Sequence, residues 1–185
     1  DYEYIINDCT PSIILVSNDE QFNKVKSICE RTPSIKKIFS FEKLSEINES
    51  AYINIENLIN KKNINENIKI DLKAQRTDPA CIIYTSGTQG NPKGVILSHG
   101  GILANSEGGY EILKPILEKE TRFLTWLPLS HSYEHAVQFV QIAVGAKVFY
   151  AESIDKLIKN MSDCSPHIMT AVPRFYQNLH QKINS

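Results

Sequence analysis

Short apolar runs recur along the chain, and most are followed by a stretch with the apolar spacing of a helix. Near the N-terminus, SIILVS (12–17) and IKKIFSF (35–41) predict two strands. Between them, Ser17 and Glu20 have the spacing of a capping box, which predicts a helix that begins there and ends at Thr32. We therefore expect a β-α-β arrangement in this part of the chain.

Residues 42–76 have a different character. They are rich in Asn, Lys, Ile and Glu, as in NIENLINKKNINENIKID, and their apolar positions show weak periodicity. We expect a surface connection with one short helix and assign no chemistry to it. Together with the strands before it, this connection gives a first segment over residues 1–76.

From residue 77 onward the alternation of apolar runs and helical stretches becomes regular. The predicted strands are ACIIY (80–84), GVILSH (94–99), TRFLTWLP (121–128), KVFYA (147–151) and HIMTAV (167–172). The predicted helices are GILANSEGGYEILKPIL, residues 130–144 with Gly145 as the C-cap, SIDKLIKNMSDC, and a helix that opens at Pro173. Such alternation indicates an α/β fold of β-α units with a mainly parallel sheet, where ligands bind at the carboxyl ends of the strands. The second segment covers residues 77–185.

Composition and charge argue against several classes of partner. The formal net charge is −1, and no Lys/Arg cluster is interleaved with aromatic residues, so we expect no nucleic-acid partner. No apolar run approaches the thickness of a bilayer, and the opening DYEYIINDCTPS lacks the pattern of a signal peptide, so we expect a cytoplasmic location. The four cysteines form no C-x-x-C pair and are expected to be reduced thiols; they are Cys9, Cys29, Cys81 and Cys164.

The loop TSGTQGNPKG (85–94), after the ACIIY strand, carries the strongest functional pattern. Glycines and small hydroxyl residues at the carboxyl end of a strand let backbone N–H groups approach a polyphosphate closely. Lys93 adds a positive charge, and each charge-assisted hydrogen bond contributes roughly 1.5–3 kcal/mol. The loop is not a Walker A loop, because Gly94 follows the lysine where that pattern needs Ser or Thr.

The stretch HSYEH (131–135) matches the H-x-x-E-H pattern of one class of zinc peptidases. Histidines four residues apart share a helix face and could bind one ion. A third ligand would have to come from downstream, where Glu152 is the only glutamate and Asp155 and Asp163 are weaker choices. A zinc hydrolase is therefore an alternative, but we favour a chain with no metal site of its own.

The run YTSGTQGNPKGVILSHGGILAN (84–105) closely resembles the phosphate-binding signature of the AMP-forming acyl-CoA synthetases, in the adenylate-forming superfamily. WLPLSHSYEH resembles the next family motif, L-P-L-x-H, and residues 145–179 are similar to long-chain fatty acyl-CoA synthetases, particularly at the V-P-R element. The resemblance implies part of the large N-terminal domain of an adenylate-forming enzyme. It also implies the substrates fatty acid, ATP and coenzyme A, with Mg²⁺ as cofactor.

The resemblance further implies roles for particular residues. The positions that bind the β- and γ-phosphates are Thr85, Ser86, Gly87, Thr88, Gln89, Gly90 and Lys93. His131 falls on the motif histidine near the acyl carboxylate and the α-phosphate, and is the expected catalytic residue. Trp126 and Tyr133 are expected to form walls of the acyl pocket. At Gln89, family loops usually have a second small hydroxyl residue, and here an amide would donate to phosphate instead.

The family's adenine-binding, ribose-binding, hinge and C-terminal lysine motifs do not occur in these 185 residues. We therefore expect the chain to be part of a longer enzyme and to be inactive when isolated. A lipid substrate also leaves peripheral membrane association open. A non-catalytic nucleotide-binding module that uses the same loop is a second alternative.

Overall fold

The computed structural model describes residues 1–45, 52–60, 73–86 and 90–184. Its chain divides into two compact units. The first comprises Asp1–Leu72 and Tyr84–Gly94, and the second comprises Lys73–Ile83 and Val95–Ser185.

The first unit is built on a parallel three-stranded sheet. Its elements are α1 (Tyr2–Cys9), β1 (Ile13–Val16), α2 (Asp19–Arg31), β2 (Lys37–Ser40), β3 (Tyr52–Asn54) and α3 (Ile55–Ile59). The strand order is β1-β2-β3, with Ile13 opposite Lys37 and Ile38 opposite Tyr52. The buried residues of α2 lie on one stripe of the helix, which packs against the sheet residues Val16 and Ile38; they are Phe22, Val25, Ile28 and Cys29.

Two elements of the first unit differ from the expectation. Helix α1 precedes β1, and β3 lies inside the region expected to be a connection. The hydrophobic pattern does not reveal α1, because Ile6 is its only buried residue. Strand β3 is equally hard to see, because only Tyr52–Asn54 adopt it.

The cap of α2 also differs from the predicted Ser17–Glu20 box. Asn18 is the N-cap, with extended backbone, and its side-chain oxygen accepts from the Gln21 backbone N–H at 3.2 Å. The Gln21 side chain in turn accepts from the Ser17 backbone N–H at 2.9 Å. The cap is therefore one residue later than predicted, because Asn18 is placed to reach the third helical N–H group, and the Gln21 side chain bonds the residue before the cap.

The chain after residue 77 contains most of the elements predicted there. They are β4 (Pro79–Thr85), β5 (Lys93–Ser98), α4 (His99–Leu113) with a 3-10 turn at Lys114–Ile116, β6 (Arg122–Thr125), α5 (Ser132–Ala143), β7 (Lys147–Tyr150), α6 (Leu157–Cys164), β8 (Ile168–Met169) and α7 (Pro173–Asn184). Strands β4 and β5 pair in a two-stranded sheet, and β7-β6-β8 form a parallel sheet. The α/β fold with mainly parallel pairing is therefore confirmed.

Strand β6 forms the centre of the β7-β6-β8 sheet. Phe123 and Leu124 point to opposite faces of it, and each is only 1% exposed. Helix α5 follows β6 and ends at Ala143. Its C-cap is Val144, and Gly145, predicted as the C-cap, comes one residue later with a left-handed φ of +64°. Several predicted elements are shorter than expected: β6 covers only Arg122–Thr125, α6 begins only at Leu157, and β8 covers only Ile168–Met169.

Helices α4 and α5 pack closely at Gly109. A β-carbon built on Gly109 would lie 2.5 Å from Cγ2 of Val140, which is closer than real contacts allow. A β-carbon on the neighbouring Gly108 would meet no heavy atom within 4 Å. The two glycines therefore differ in a testable way, although both are inside the same helix.

We expect Gly109→Ala to destabilise the α4–α5 pair by about 0.5–2 kcal/mol, because overpacking costs about 1–3 kcal/mol and the gain in helix propensity offsets up to about 1 kcal/mol. Gly108→Ala should be neutral or stabilising. Amide hydrogen exchange in α4 and α5 of the full-length protein measures both effects. Adding Val140→Ala should relieve the Gly109→Ala defect. Equal effects of the two alanine substitutions would contradict the proposed close contact.

Helix α4, with 15 residues, is the longest helix of the described ranges. None of the helices in those ranges combines the length and the apolar character that crossing a bilayer requires.

Candidate functional site

The predicted phosphate loop links two paired strands. Strand β4 ends at Thr85 and β5 begins at Lys93, so residues between them form the connection. Four of the predicted phosphate-binding residues are described, and all are exposed: Thr85, Ser86, Gly90 and Lys93. Gly90 has a φ of +107°, a conformation that L side chains rarely adopt. The other three predicted positions, Gly87, Thr88 and Gln89, lie outside the described residues.

Tyr84 fixes the strand immediately before the loop. Its hydroxyl donates to Oδ2 of Asp8, in α1, with an O–O distance of 2.5 Å. This hydrogen bond to a carboxylate is the main reason why the pKa of Tyr84 is raised above its usual range. The start of the loop is therefore tied to α1 within the first unit. The sequence gives no sign of this contact, because 76 positions separate the two residues.

His131 is the N-cap of α5. Its Nδ1 accepts from the backbone N–H of Tyr133 at 3.3 Å. Because Nδ1 acts as an acceptor, a neutral ring carries its proton on Nε2. The side chain is exposed, so Nε2–H can donate to a ligand oxygen. The predicted catalytic histidine thus lies at a helix start, where backbone N–H groups also favour negative charge.

Glu134, in the first turn of α5, is completely buried. Its Oε2 accepts from Oγ1 of Thr170 at 2.6 Å, while Oε1 has no hydrogen-bond partner. The carbonyl oxygen of Thr170 accepts from the indole N–H of Trp126 at 2.6 Å. Thr170, which follows β8, therefore holds both the start of α5 and the end of β6. The sequence predicts Glu134 as a first-turn carboxylate but not this burial.

The two predicted pocket residues have different surroundings. Trp126 is half-buried, and its ring packs at a centroid distance of 5.3 Å from Phe175. Tyr133 is 50% exposed. Their role in an acyl pocket stays a prediction, since packing and the Thr170 hydrogen bond also explain the position of Trp126.

A cavity of about 290 Å³ lies in the second unit. Its walls come from the end of β5, from α4 and from α5, and the lining residues are Ile96, Leu97, Ser98, Gly101, Ile102, Asn105, Ser132, His135 and Ala136. Trp126 and Tyr133 are not among them. The sequence motifs do not predict most of these lining residues. The helical spacing of Ser98, Gly101 and Asn105 could have indicated that they share one face at the start of α4.

The three chemically active side chains of HSYEH make separate contacts. His131 accepts the Tyr133 N–H, Glu134 accepts the Thr170 hydroxyl, and Nε2 of His135 lies 3.5 Å from Sγ of Cys81. Across the part of the chain that the structure describes, no group of three or more His, Cys, Asp and Glu residues could hold a metal ion. The described geometry therefore gives the zinc hydrolase alternative no support.

Comparison with known proteins adds an independent line of information. The family model for AMP-binding enzyme matches residues 1–184. Long-chain-fatty-acid–CoA ligase 6 from Homo sapiens is 29% identical over 192 residues, and long-chain-fatty-acid–CoA ligase 5 from Rattus norvegicus is 28% identical over 192 residues. Each alignment covers 98% of this chain but only 28% of the relative, so the chain spans just over a quarter of their length.

Solved structures share the fold. The O-succinylbenzoate coenzyme A synthetase from Bacillus subtilis, in complex with ATP and magnesium ion, superposes with a TM-score of 0.69 and 21% sequence identity. The match covers 96% of this chain and 33% of that one.

Proposed function

Because the chain belongs to the AMP-binding enzyme family, we propose that the full-length protein containing it is an AMP-forming long-chain fatty acid–CoA ligase. Its fold is the mixed α/β fold, with parallel sheets, of the N-terminal domain of adenylate-forming enzymes. In the proposed reaction a fatty acid carboxylate attacks the α-phosphate of ATP and releases pyrophosphate, and the coenzyme A thiol then displaces AMP from the acyl-adenylate. The similarity to long-chain-fatty-acid–CoA ligases over 98% of the chain carries this proposal.

The described loop residues fit a polyphosphate ligand. Thr85 and Ser86 offer exposed hydroxyl groups, and Lys93 offers an exposed ammonium group at the first residue of β5. These groups would orient the β- and γ-phosphates and neutralise the charge that grows on the departing pyrophosphate. Mg²⁺ bound with ATP would supply further positive charge there.

His131 has a separate role in the proposal. With Nδ1 occupied by the Tyr133 N–H, its Nε2–H would donate to an oxygen of the acyl carboxylate or the α-phosphate. Such a hydrogen bond orients the attacking carboxylate and stabilises charge as the adenylate forms.

Pyrophosphate release by the full-length protein tests the proposed function. The assay contains magnesium-ATP and coenzyme A, with saturated acids from acetate to palmitate. We expect kcat/KM to rise with chain length by up to about fourfold per methylene, because each buried CH₂ contributes about 0.8 kcal/mol. The same mixture without acid is the blank.

Two results would overturn the long-chain assignment. Release that is greatest with acetate would indicate a short-acid ligase. No release with any acid, combined with measurable ATP binding, would favour the non-catalytic nucleotide-binding module.

A further inference from the structure

Glu134 carries a buried carboxyl group that packing alone does not explain. Its side chain is 0% exposed, Oε2 accepts from the Thr170 hydroxyl at 2.6 Å, and Oε1 has no hydrogen-bond partner among the described residues. A buried acceptor without a donor costs free energy, and an apolar side chain of similar volume would avoid that cost. What the carboxyl group adds is a directional bond to Thr170, which an apolar side chain cannot make.

That bond fixes the first turn of α5. Glu134 is the third residue of the helix, and Thr170 directly follows β8. The carbonyl oxygen of Thr170 accepts from the indole N–H of Trp126 at 2.6 Å, so Thr170 is also attached to the residue that follows β6. Because β6 and β8 pair in parallel, the start of α5 is held at the carboxyl ends of two neighbouring strands.

The direction of the His131 ring depends on the same turn. His131 is the N-cap of α5, and its Nδ1 accepts from the backbone N–H of Tyr133 at 3.3 Å. Its carbonyl oxygen accepts from the backbone N–H of His135 at 3.0 Å. Within the described ranges this exposed ring has no other hydrogen bond. A displacement of the turn that carries Glu134 therefore changes the direction of Nε2–H.

We propose that Glu134 is a positioning residue, which acts through Thr170 and the first turn of α5 to direct Nε2–H of His131 at the acyl carboxylate and the α-phosphate. This inference rests on the proposed ligase function and adds a residue to it. Glu134 is fully buried and does not touch the reactants. A displacement of about 1 Å near the reacting groups can slow a reaction about a hundredfold, so the loss of one directional bond behind His131 is expected to be measurable.

Gln141 provides a matched control in the same helix. It is 1% exposed, its Nε2 donates to Oγ1 of Thr125 at 2.9 Å, and its Oε1 also has no partner in the part of the chain that the structure describes. It lies two helical turns after Glu134, which is about 10 Å along the axis. Gln141→Leu therefore removes a buried hydrogen bond between α5 and the sheet but leaves the turn at His131 in place.

The first measurement is pyrophosphate release by the full-length protein with palmitate and magnesium-ATP. We expect Glu134→Leu to lower kcat about tenfold and to change the KM values for ATP and palmitate less than about twofold, because orientation is lost and binding is not. Glu134→Gln keeps an acceptor for Thr170 and should retain at least about half of kcat. Gln141→Leu should leave kcat unchanged. In a His131→Ala background, Glu134→Leu should lower kcat by less than about twofold, because the ring it positions is absent.

The second measurement needs no catalysis. Diethyl pyrocarbonate acylates an imidazole nitrogen that has a free lone pair, whereas Nδ1 of His131 accepts the Tyr133 N–H and Nε2 carries the proton. Peptide mass spectrometry follows the modification of His131, with the exposed His99 as internal reference. We expect Glu134→Leu to speed the modification of His131 at least about threefold relative to His99, because a loosened turn frees Nδ1. Thr170→Val should do the same, and Gln141→Leu should not.

The proposal is wrong if Glu134→Leu and Thr170→Val change neither kcat nor the modification of His131, or if Gln141→Leu changes both equally. A loss of about tenfold that persists in the His131→Ala background would show that Glu134 does not act through His131. If the parent protein releases no pyrophosphate with any acid, the ligase assignment fails. The modification rate of His131 then still decides whether Glu134 positions the ring.

Discussion

Lys93→Ala in the full-length protein is expected to slow adenylate formation by ten- to a hundredfold. Lys93 is exposed at the start of β5 and belongs to the predicted phosphate loop. If its ammonium group contacts the pyrophosphate, the contact strengthens as negative charge collects on that leaving group. Loss of an interaction that is stronger in the transition state lowers kcat, and each factor of ten corresponds to about 1.4 kcal/mol.

The measurement is pyrophosphate release with palmitate and saturating magnesium-ATP. Lys119→Ala is the matched control, because Lys119 is an exposed lysine in the turn before β6 and has no proposed role. Lys93→Arg should recover part of the rate, since it keeps the charge but changes the geometry. A Lys93→Ala rate equal to that of the Lys119 control would mean that Lys93 is only a solvated charge.

Thr170→Val is expected to have the largest effect on stability. Valine has nearly the shape of threonine but cannot donate to the fully buried Glu134, whose other carboxyl oxygen already has no partner. Removing the donor to a buried carboxyl oxygen leaves that oxygen without a partner and costs about 2–3 kcal/mol. Backbone amides of α5 in the full-length protein should therefore exchange with solvent roughly 30- to 160-fold faster.

Two further variants separate this explanation from a general loss of packing. Thr170→Ser keeps the hydroxyl group and should exchange almost as slowly as the parent protein. In a Glu134→Leu background, Thr170→Val should cost much less, because no carboxyl group is left without a partner. Equal effects of Thr170→Val in both backgrounds would show that the Glu134–Thr170 hydrogen bond contributes little.

Much of the fold follows from local pattern. The apolar stripe of α2, the apolar runs of β1, β4 and β6, and the left-handed Gly145 after α5 are all visible as periodicity or turn chemistry. Elements with little buried surface cannot be predicted from such patterns. Helix α1 buries only Ile6, and β3 has three residues, so neither leaves a clear hydrophobic period.

In the candidate site, the sequence predicts the features that are local in the chain but not the contacts between distant residues. The phosphate loop is recognisable because its chemistry is local, and its glycines, hydroxyl residues and lysine are consecutive in the chain. The contacts of Glu134 and His135 are not local, because their partners Thr170 and Cys81 are 36 and 54 positions away. Motif reasoning groups His131, Glu134 and His135 around one possible ion, whereas tertiary packing directs them to three different partners.

The position of β6 in its sheet affects how the chain emerges from the ribosome. Both neighbours of this central strand, β7 and β8, are translated after it. At about 5–20 residues per second, roughly 2–9 s separate the synthesis of Thr125 from that of Met169. During this interval β6, which carries Phe123 and Leu124, lacks one or both of the strands that pair with its backbone in the finished sheet. Until β8 has been made, the pairing of β6 therefore stays incomplete, and its free edge is open to pairing with another chain.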